Sequence, residues 1–293
     1  MHVLPYDVWR FGVTMQAGTA MLSIKIGLVG AGRMATALAR GFVGAKLLAP
    51  SAIVASDPIA AARAAFEREV PGARVVAENG PVVSQADVVI LAVKPQDIDA
   101  VLREIRPEVT KDKLLISIAA GVSLRRLESA LGPQARVVRV MPNTPALVGK
   151  GAAVAVRGAR ATAADERLTL ALFGGVGEAV AVRREALMDP VTGLSGSGPA
   201  YVYLFAEALI EGGVREGLPE PVARRLAFQT LEGAAAMLKE TRKSPAKLRE
   251  MVSSPGGTTV AGLARLAQGR FRESVSAAVC AATRRSRELG AGS

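Results

Sequence analysis

Ile24-Lys25-Ile26-Gly27-Leu28-Val29-Gly30-Ala31-Gly32-Arg33-Met34-Ala35-Thr36-Ala37-Leu38-Ala39 is the stretch that decides the fold of this chain. Its first six residues read as a short buried strand, and from Met34 to Ala45 apolar residues recur at helical spacing. Between them stands Gly30-Ala31-Gly32-Arg33-Met34-Ala35. The first glycine permits a tight turn out of the strand, the second lets backbone approach a pyrophosphate, and the small Ala35 lets helix and strand pack closely. The N-terminus of the helix then offers free N–H groups and a positive dipole end to phosphates. Between a strand and a helix, this pattern predicts a dinucleotide site rather than a glycine-rich turn with no ligand.

Outward from that turn, short β-rich runs alternate with helical ones as far as Arg183. Strands are predicted at 24–29, 53–56, 74–76, 88–93, 114–118, 137–140, 153–156 and 179–182, all apolar enough to be buried. Helices are predicted at 34–45, 59–69, 98–105 and 124–131, the last with Ser123 as N-cap. Such alternation implies parallel strands joined by helices. Beyond Glu185 the β-branched runs stop, and helices are expected at 199–212, 221–239, 244–251, 258–267 and 271–289. Apolar residues on more than one face of 202–209 and 222–237 would bury better against a second subunit than alone. The fold class read from this pattern is α/β: an N-terminal Rossmann-like doubly wound sheet at 22–184, then an all-α C-terminal dimerisation domain at 185–293. Two domains suit 293 residues, at about 100–200 residues each.

Composition excludes several classes. Lysine and arginine number 37 against 26 acidic residues, a formal charge of +11, but they are scattered and aromatic residues make up only 4%. A nucleic-acid interface would concentrate them on one face with aromatics among them, so the surplus reads as a solvated surface favouring anionic ligands. No apolar run reaches the roughly 20 residues of a membrane helix. Cys280 is the single cysteine, which precludes an internal disulfide and suits a reducing, cytoplasmic compartment; its apolar helical surroundings suggest a core thiol. The single histidine, His2, lies in a leader at 1–21 that has none of the features of a secretory signal, with Met21 as a candidate start. Histidine catalysis and histidine-ligated zinc are therefore not expected, and no metal site is.

Candidate cofactor contacts follow the strand ends. Asp57 closes the second strand, where an acidic residue about 20 positions after the fingerprint accepts hydrogen bonds from the adenosine ribose. Its alternative task is to start the next helix with Pro58, and Arg63 stands near enough in sequence to meet a 2′-phosphate, so NADH and NADPH both stay open. Ala92-Val93-Lys94-Pro95 and Ala119-Ala120 end the fourth and fifth strands at the carboxyl edge where dinucleotides bind, Lys94 as a cation for cofactor or substrate. Three further segments are richer in Gly, Ser, Thr and Pro than packing requires: Met141 to Pro145, Thr192 to Pro199 and Val252 to Thr259. In the last, two glycines entering a helix through paired threonines bring several N–H groups and two hydroxyls to one point, a carboxylate pocket. Helix capping by Ser254 or Thr258 is the plainer use of the same atoms.

With these segments in order, the chain resembles pyrroline-5-carboxylate reductases. The resemblance rests on Gly30 to Ala35, Ala92 to Pro95, Arg139 to Pro145, Asp189 to Tyr201 and, most specifically, Ser253 to Thr259, and spans nearly everything from Ser23. It implies hydride transfer from NADPH or NADH to the C=N carbon of pyrroline-5-carboxylate, giving L-proline, the last step of proline biosynthesis. It implies Thr259 as the catalytic hydroxyl at the ring nitrogen, with Ser254, Gly256, Gly257 and Thr258 around the carboxylate and Glu185 as an acidic group nearby. On the cofactor side it implies Gly30, Ala31, Gly32, Arg33, Met34, Ala35, Asp57, Asn79, Ala92, Val93, Lys94, Pro95, Ala119 and Ala120. It also implies an active site between the nucleotide domain of one subunit and helices of the dimer, and a homodimer assembling into a larger ring such as a decamer. Two positions depart from the family pattern: Asp57 stands where several relatives carry a neutral residue, and Met251 replaces a polar one. Competing readings are another NAD(P)H-dependent imine or keto-acid reductase, including a β-hydroxyacid dehydrogenase or a deazaflavin enzyme, and a non-catalytic nucleotide sensor. The segment 193–205 has no lysine, which counts against the hydroxyacid dehydrogenase.

Overall fold

The computed structural model describes residues 21–291, so the leader with His2 lies outside the described residues. Contacts divide the described residues into two compact units, 21–196 with 282–291, and 197–281.

The first unit is built on β1 (Ile26–Val29), α1 (Arg33–Gly44), β2 (Ile53–Ser56), α2 (Ala60–Glu69), β3 (Arg74–Val76), α3 (Gly80–Gln85), β4 (Val88–Leu91), α4 (Ile98–Ile105), β5 (Leu114–Ser117), α5 (Leu124–Leu131), β6 (Arg136–Met141), β7 (Gly151–Arg157), α6 (Ala163–Gly174), β8 (Gly177–Ala181) and the short α7 (Met188–Val191). The eight strands form one sheet in the order β3-β2-β1-β4-β5-β6-β7-β8. Alternate residues of each strand enter opposite cores. Ile26, Leu28, Ile90, Ile116 and Val138 join Leu38 and Phe42 of α1 and Phe173 of α6 on one face. Val29, Leu91, Leu115 and Val137 join Val83 of α3, Leu102 of α4 and Leu127 of α5 on the other. Period-two alternation with apolar residues at both phases is what burial on both faces demands.

Two features depart from the expected pattern. β7 runs antiparallel to β6, whereas the other neighbours are parallel. The connection 142–150 contains only a 3-10 turn, Thr144–Val148, too short for the helical crossover of a dozen or more residues that parallel strands require. The edge strands β3 and β8 are only partly covered, because each has a neighbour on one side alone. Three helices, α3, α6 and α7, are not visible in the periodicity; α3 and α7 have only six and four residues, and α6 is apolar around much of its girth. Ser123 does cap α5, its Oγ accepting from the Arg126 N–H at 3.2 Å. The Arg126 guanidinium in turn grips Asp99 of α4 at 2.9 and 2.6 Å, a hydrogen bond that holds the Asp99 carboxyl below its ordinary value.

The second unit contains α8 (Gly198–Arg215), α9 (Glu220–Glu240), α10 (Pro245–Met251), α11 (Thr258–Gln268) and the first part of α12 (Phe271–Ala291), whose remainder belongs to the first unit. α8 and α9 close on each other at their joint, where a Cβ at Gly213 would lie 3.2 Å from that of Ala223. Phe205 of α8 packs on Phe271 of α12 with ring centroids 5.8 Å apart. Within this unit the buried apolar residues are alanines, Ala206, Ala223 and Ala227, while Val202, Leu204, Leu226 and Phe228 stay exposed. Cys280 is exposed as well, so the expected core thiol is corrected: it lies on the exposed side of α12, beside the half-buried Ala278 and Val279.

At the start of β6, Arg136 donates to Asp165 at 2.7 Å, and the Asp165 side chain is only 6% exposed. Asp165 also accepts from the Thr162 N–H at 2.7 Å in the capping box that begins α6. Removing one partner of a buried pair strands the other's charge. Arg136→Met is expected to lower unfolding free energy by about 3 kcal/mol, read from the urea midpoint.

Candidate functional site

The chain leaves β1 outward to β2 and β3, then returns across β1 to β4, so the sheet order reverses between β1 and β4. Ligands of open α/β sheets bind in the crevice outside the carboxyl ends of the strands at such a switch point. The fingerprint turn stands there. The Gly30 N–H donates to Ser56 O at 2.8 Å, and the Ala92 N–H to Val29 O at 2.8 Å. Gly30 has φ +96°, and a Cβ on it would sit 3.0 Å from the Ala92 carbonyl oxygen. Its glycine is demanded by folding. Gly32 is different: it is the N-cap of α1 in an extended conformation, and a Cβ there meets nothing within 4 Å. The first turn of α1 carries no acidic residue, and no side chain caps it. Open space above uncapped N–H groups fits a dinucleotide pyrophosphate. Ala31 and Ala35 are buried and seat the turn on the sheet, while the Arg33 side chain is exposed and Met34 half-buried.

Around this turn the remaining expected cofactor residues gather at the same edge. The Asp57 Oδ2 accepts from the Ala31 N–H at 3.0 Å, and its Oδ1 from the Ile59 N–H at 2.9 Å. Asp57 thus ties the fingerprint to β2 and shapes the turn into α2, the second task allowed by its sequence. Arg63 turns back onto the Asp57 and Pro58 carbonyls at 2.8 and 3.0 Å. Asn79 accepts from the buried Ser56 hydroxyl at 2.7 Å and donates to Glu104 at 2.7 Å, which sets the orientation of its amide. Ala92 and Val93 are half-buried, Lys94 and Pro95 exposed, and the Lys94 ammonium has no partner among the described residues. Ala119 is buried and Ala120 exposed in the turn after β5.

Glu185 also belongs to the first unit. Its Oε1 accepts from the Leu124 N–H at 2.7 Å and from Arg139 at 2.8 Å. Asn143, marked in the sequence without a role, bridges backbone: its Nδ2 donates to Ser195 O at 2.9 Å and its Oδ1 accepts from the Ala152 N–H at 2.8 Å. Ser195 lies in a π-helical turn, Thr192–Gly196, so the Gly/Ser-rich run there makes an irregular helix rather than a loop.

The substrate candidates Ser254, Gly256, Gly257, Thr258 and Thr259 lie together in the second unit, at the start of α11. Gly256 has φ +71°, and Gly257 is the N-cap. A Cβ at Gly257 would meet Ser254 Oγ at 2.4 Å, so the glycine lets Ser254 fold over the helix end. No side chain caps α11, no acidic residue stands in its first turn, and the hydroxyls of Ser254, Thr258 and Thr259 make no hydrogen bond among the described residues. Capping therefore does not account for these hydroxyls. Among the described residues no group of three or more His, Cys, Asp or Glu side chains could hold a metal ion, and no helix is long and apolar enough to cross a membrane.

Comparison with known proteins agrees with this layout. Residues 185–289 match the family model described as pyrroline-5-carboxylate reductase dimerisation, and residues 25–121 match one described as NADP oxidoreductase, coenzyme F420-dependent. A pyrroline-5-carboxylate reductase of Glycine max is 47% identical over 268 residues, covering 91% of this chain and 96% of that one. The chain belongs to the pyrroline-5-carboxylate reductase family. Among solved structures, the Plasmodium falciparum pyrroline carboxylate reductase with NADP bound superposes with TM-score 0.83 at 34% identity, covering 92% of this chain and 100% of that one. A pyrroline-5-carboxylate reductase from Coxiella burnetii gives TM-score 0.86 at 35% identity, covering 92% and 99%.

For a reductase of this family the two glycines make separable predictions. Gly32→Val is expected to leave the unfolding midpoint near wild type and to raise the cofactor KM at least about tenfold, since its side chain enters only ligand space. Gly30→Val is expected to destabilise the fold itself, through positive φ and contact with Ala92. Thermal unfolding beside NADH and NADPH saturation curves distinguishes the two. Asp57→Ser should move the NADPH to NADH preference toward NADPH, by removing a carboxylate that repels a 2′-phosphate; equal changes in both cofactors would leave Asp57 as a turn anchor only.

Proposed function

We propose that this enzyme reduces L-1-pyrroline-5-carboxylate to L-proline with NADPH or NADH, and that the substrate is held at the start of α11. The observation that carries the reading is the uncapped helix N-terminus at Gly257, with three unpartnered hydroxyls beside it. A carboxylate is the ligand that such an end favours, through free N–H groups and the helix dipole. Ser254, Gly256, Gly257 and Thr258 bind it, and Thr259, one position further into the helix, presents its hydroxyl to the ring nitrogen.

When bound, the reduced nicotinamide supplies the hydride for the C=N carbon. The chain's own work is to orient and to stabilise charge. A protonated imine is already electrophilic, so the main task is to hold it in line with the hydride donor, the Thr259 hydroxyl fixing the ring nitrogen, and no strong acid is required. No histidine is needed for that. On the nucleotide side, Gly30 to Ala35 receive the pyrophosphate, Asp57 and Asn79 meet the adenosine half, and Ala92 to Pro95 with Ala119 and Ala120 line the carboxyl edge, Lys94 adding a free cation. Glu185 contributes through Oε2, which has no protein partner among the described residues, as the acidic group near the substrate.

The exposed apolar faces of α8 and α9, with Leu204 at 66% and Phe228 at 55% exposed, support a homodimer, which we place within a larger ring such as a decamer. The lone cysteine suits a reducing cytoplasm.

The test is the loss of nicotinamide absorbance when purified protein meets pyrroline-5-carboxylate, with NADH and NADPH in separate runs and proline identified as product. Thr259→Ala is expected to lower kcat by about 100-fold while leaving cofactor affinity unchanged. Wild-type kinetics in that variant would remove Thr259 from the chemistry, and no turnover in folded, nucleotide-binding wild-type protein would overturn the substrate.

A further inference from the structure

Behind the turn that follows β5 lies an ion pair made by Arg139, which the chemistry above leaves out, with the Oε1 of Glu185 rather than the Oε2 that faces the substrate in that reading. Arg139 stands on β6 directly beside Ser117 of β5, among the buried Val137, Val138 and Val140, and its side chain is 8% exposed. A cation so placed is costly unless paired. Its partner is Glu185, whose Oε1 accepts from Arg139 Nη1 at 2.8 Å. The same oxygen accepts at 2.7 Å from the N–H of Leu124, the first residue of α5. One carboxylate oxygen therefore ties a strand side chain to a helix end.

What this contact restrains is the connection 118–123. At its β5 end the connection is held by the Ile118 N–H on Leu91 O at 3.1 Å and the Ala119 N–H on Ser117 Oγ at 3.4 Å. At its α5 end it is held by Glu185 on the Leu124 N–H, two residues before the Arg126 N–H that Ser123 Oγ accepts. Between the two clamps the chain turns through Ala119, Ala120 and Gly121, the last at φ +75°, closed by the Val122 N–H on Ala119 O at 3.4 Å before Ser123. These residues occupy the carboxyl edge on the β4–β5 side of the crevice, opposite Asp57 on β2.

We propose that Arg139 and Glu185 are positioning residues for the dinucleotide: by fastening the first turn of α5 to β6, they set where the Ala119–Gly121 backbone stands over the crevice, and so fix the half of the cofactor remote from Asp57. The proposal rests on the dinucleotide placement given under Proposed function. Neither side chain touches the cofactor in this scheme; both act through the turn. Their opposite number is Arg136–Asp165 at the far end of the same strand, a comparable ion pair that holds no part of the carboxyl edge.

The experiment compares wild type with Arg139→Met, Arg139→Lys, Glu185→Gln, the Arg139→Met/Glu185→Gln double variant and Arg136→Met. Each is assayed for NADH binding by fluorescence of the dinucleotide, for the KM of each substrate, and for thermal unfolding. Arg139→Met is expected to weaken NADH binding about tenfold, the loss of one charge-assisted contact, with the KM for pyrroline-5-carboxylate within about twofold of wild type. Arg139→Lys should recover part of that affinity, and the double variant should be no worse than the poorer single one. Arg136→Met should lower the unfolding midpoint and leave NADH affinity alone. The proposal is overturned if Arg139→Met binds NADH like wild type, if the two single losses add, or if Arg136→Met weakens NADH equally. Should Arg139→Met fail to fold, Arg139→Lys and Glu185→Gln decide by the same measures, unaltered NADH affinity in both refuting the pair. Gly32→Val separates the two levels. Wild-type NADH binding in that variant would sink the dinucleotide placement, whereas loss there with normal binding in the Arg139 and Glu185 variants would sink the positioning pair alone.

Discussion

The approach of the β1–α1 turn to the end of β4 is the contact on which the rest of the nucleotide unit depends. Gly30 lies so close to the Ala92 carbonyl that any side chain would need space that the sheet does not have, and its positive φ suits glycine. That closeness lets α1 begin immediately above the carboxyl edge, with its free N–H groups facing outward. It also brings β1 and β4 into contact although two strands, β2 and β3, and three helices, α1 to α3, intervene in sequence. The crevice between them is thus a product of topology, and the glycine is what makes the topology close.

Three carboxylates stiffen the rim of this crevice from within. Asp57 holds the fingerprint backbone, Glu104 holds Asn79, and Glu185 holds the start of α5. Each spends its charge on protein N–H groups or a guanidinium, whereas the helix end at Gly32 has no side-chain cap and the Lys94 ammonium no partner among the described residues, two features that suit an anion. A chain of net charge +11 needs no dedicated basic cluster at the site for this purpose. Its long-range field already favours anions, and local N–H groups supply the direction.

The helical unit obeys a different economy. With only small alanines fully buried inside it, the unit leaves many large apolar side chains exposed, Leu204, Leu226 and Phe228 among them, and apolar area left in water is a standing drive toward association. At the start of α11 the same unit carries the opposite kind of unsatisfied group, hydroxyls that make no hydrogen bond among the described residues and a helix end that no side chain caps. Both features are incomplete surfaces, one apolar and one polar, and both belong to a family whose matched segment is named for dimerisation.

Much of this was legible in the order of residues alone. Strand and helix positions follow from local periodicity, the fingerprint from glycine sterics, and the turn into α11 from Gly256-Gly257 ahead of Thr258-Thr259, because each depends on neighbours within a few positions. Ser123 was readable as a cap for the same reason. What the tertiary structure decided are the contacts between positions far apart in sequence: the antiparallel turn of β7, Asp57 reaching Ala31, Asn79 caught between Ser56 and Glu104, and Glu185 joining Arg139 to Leu124. An arginine amid three valines on a short strand was the one visible hint of the last, a charge that burial would force to find a partner. Which partner it finds depends on how strands and helices are stacked, and no local pattern carries that information.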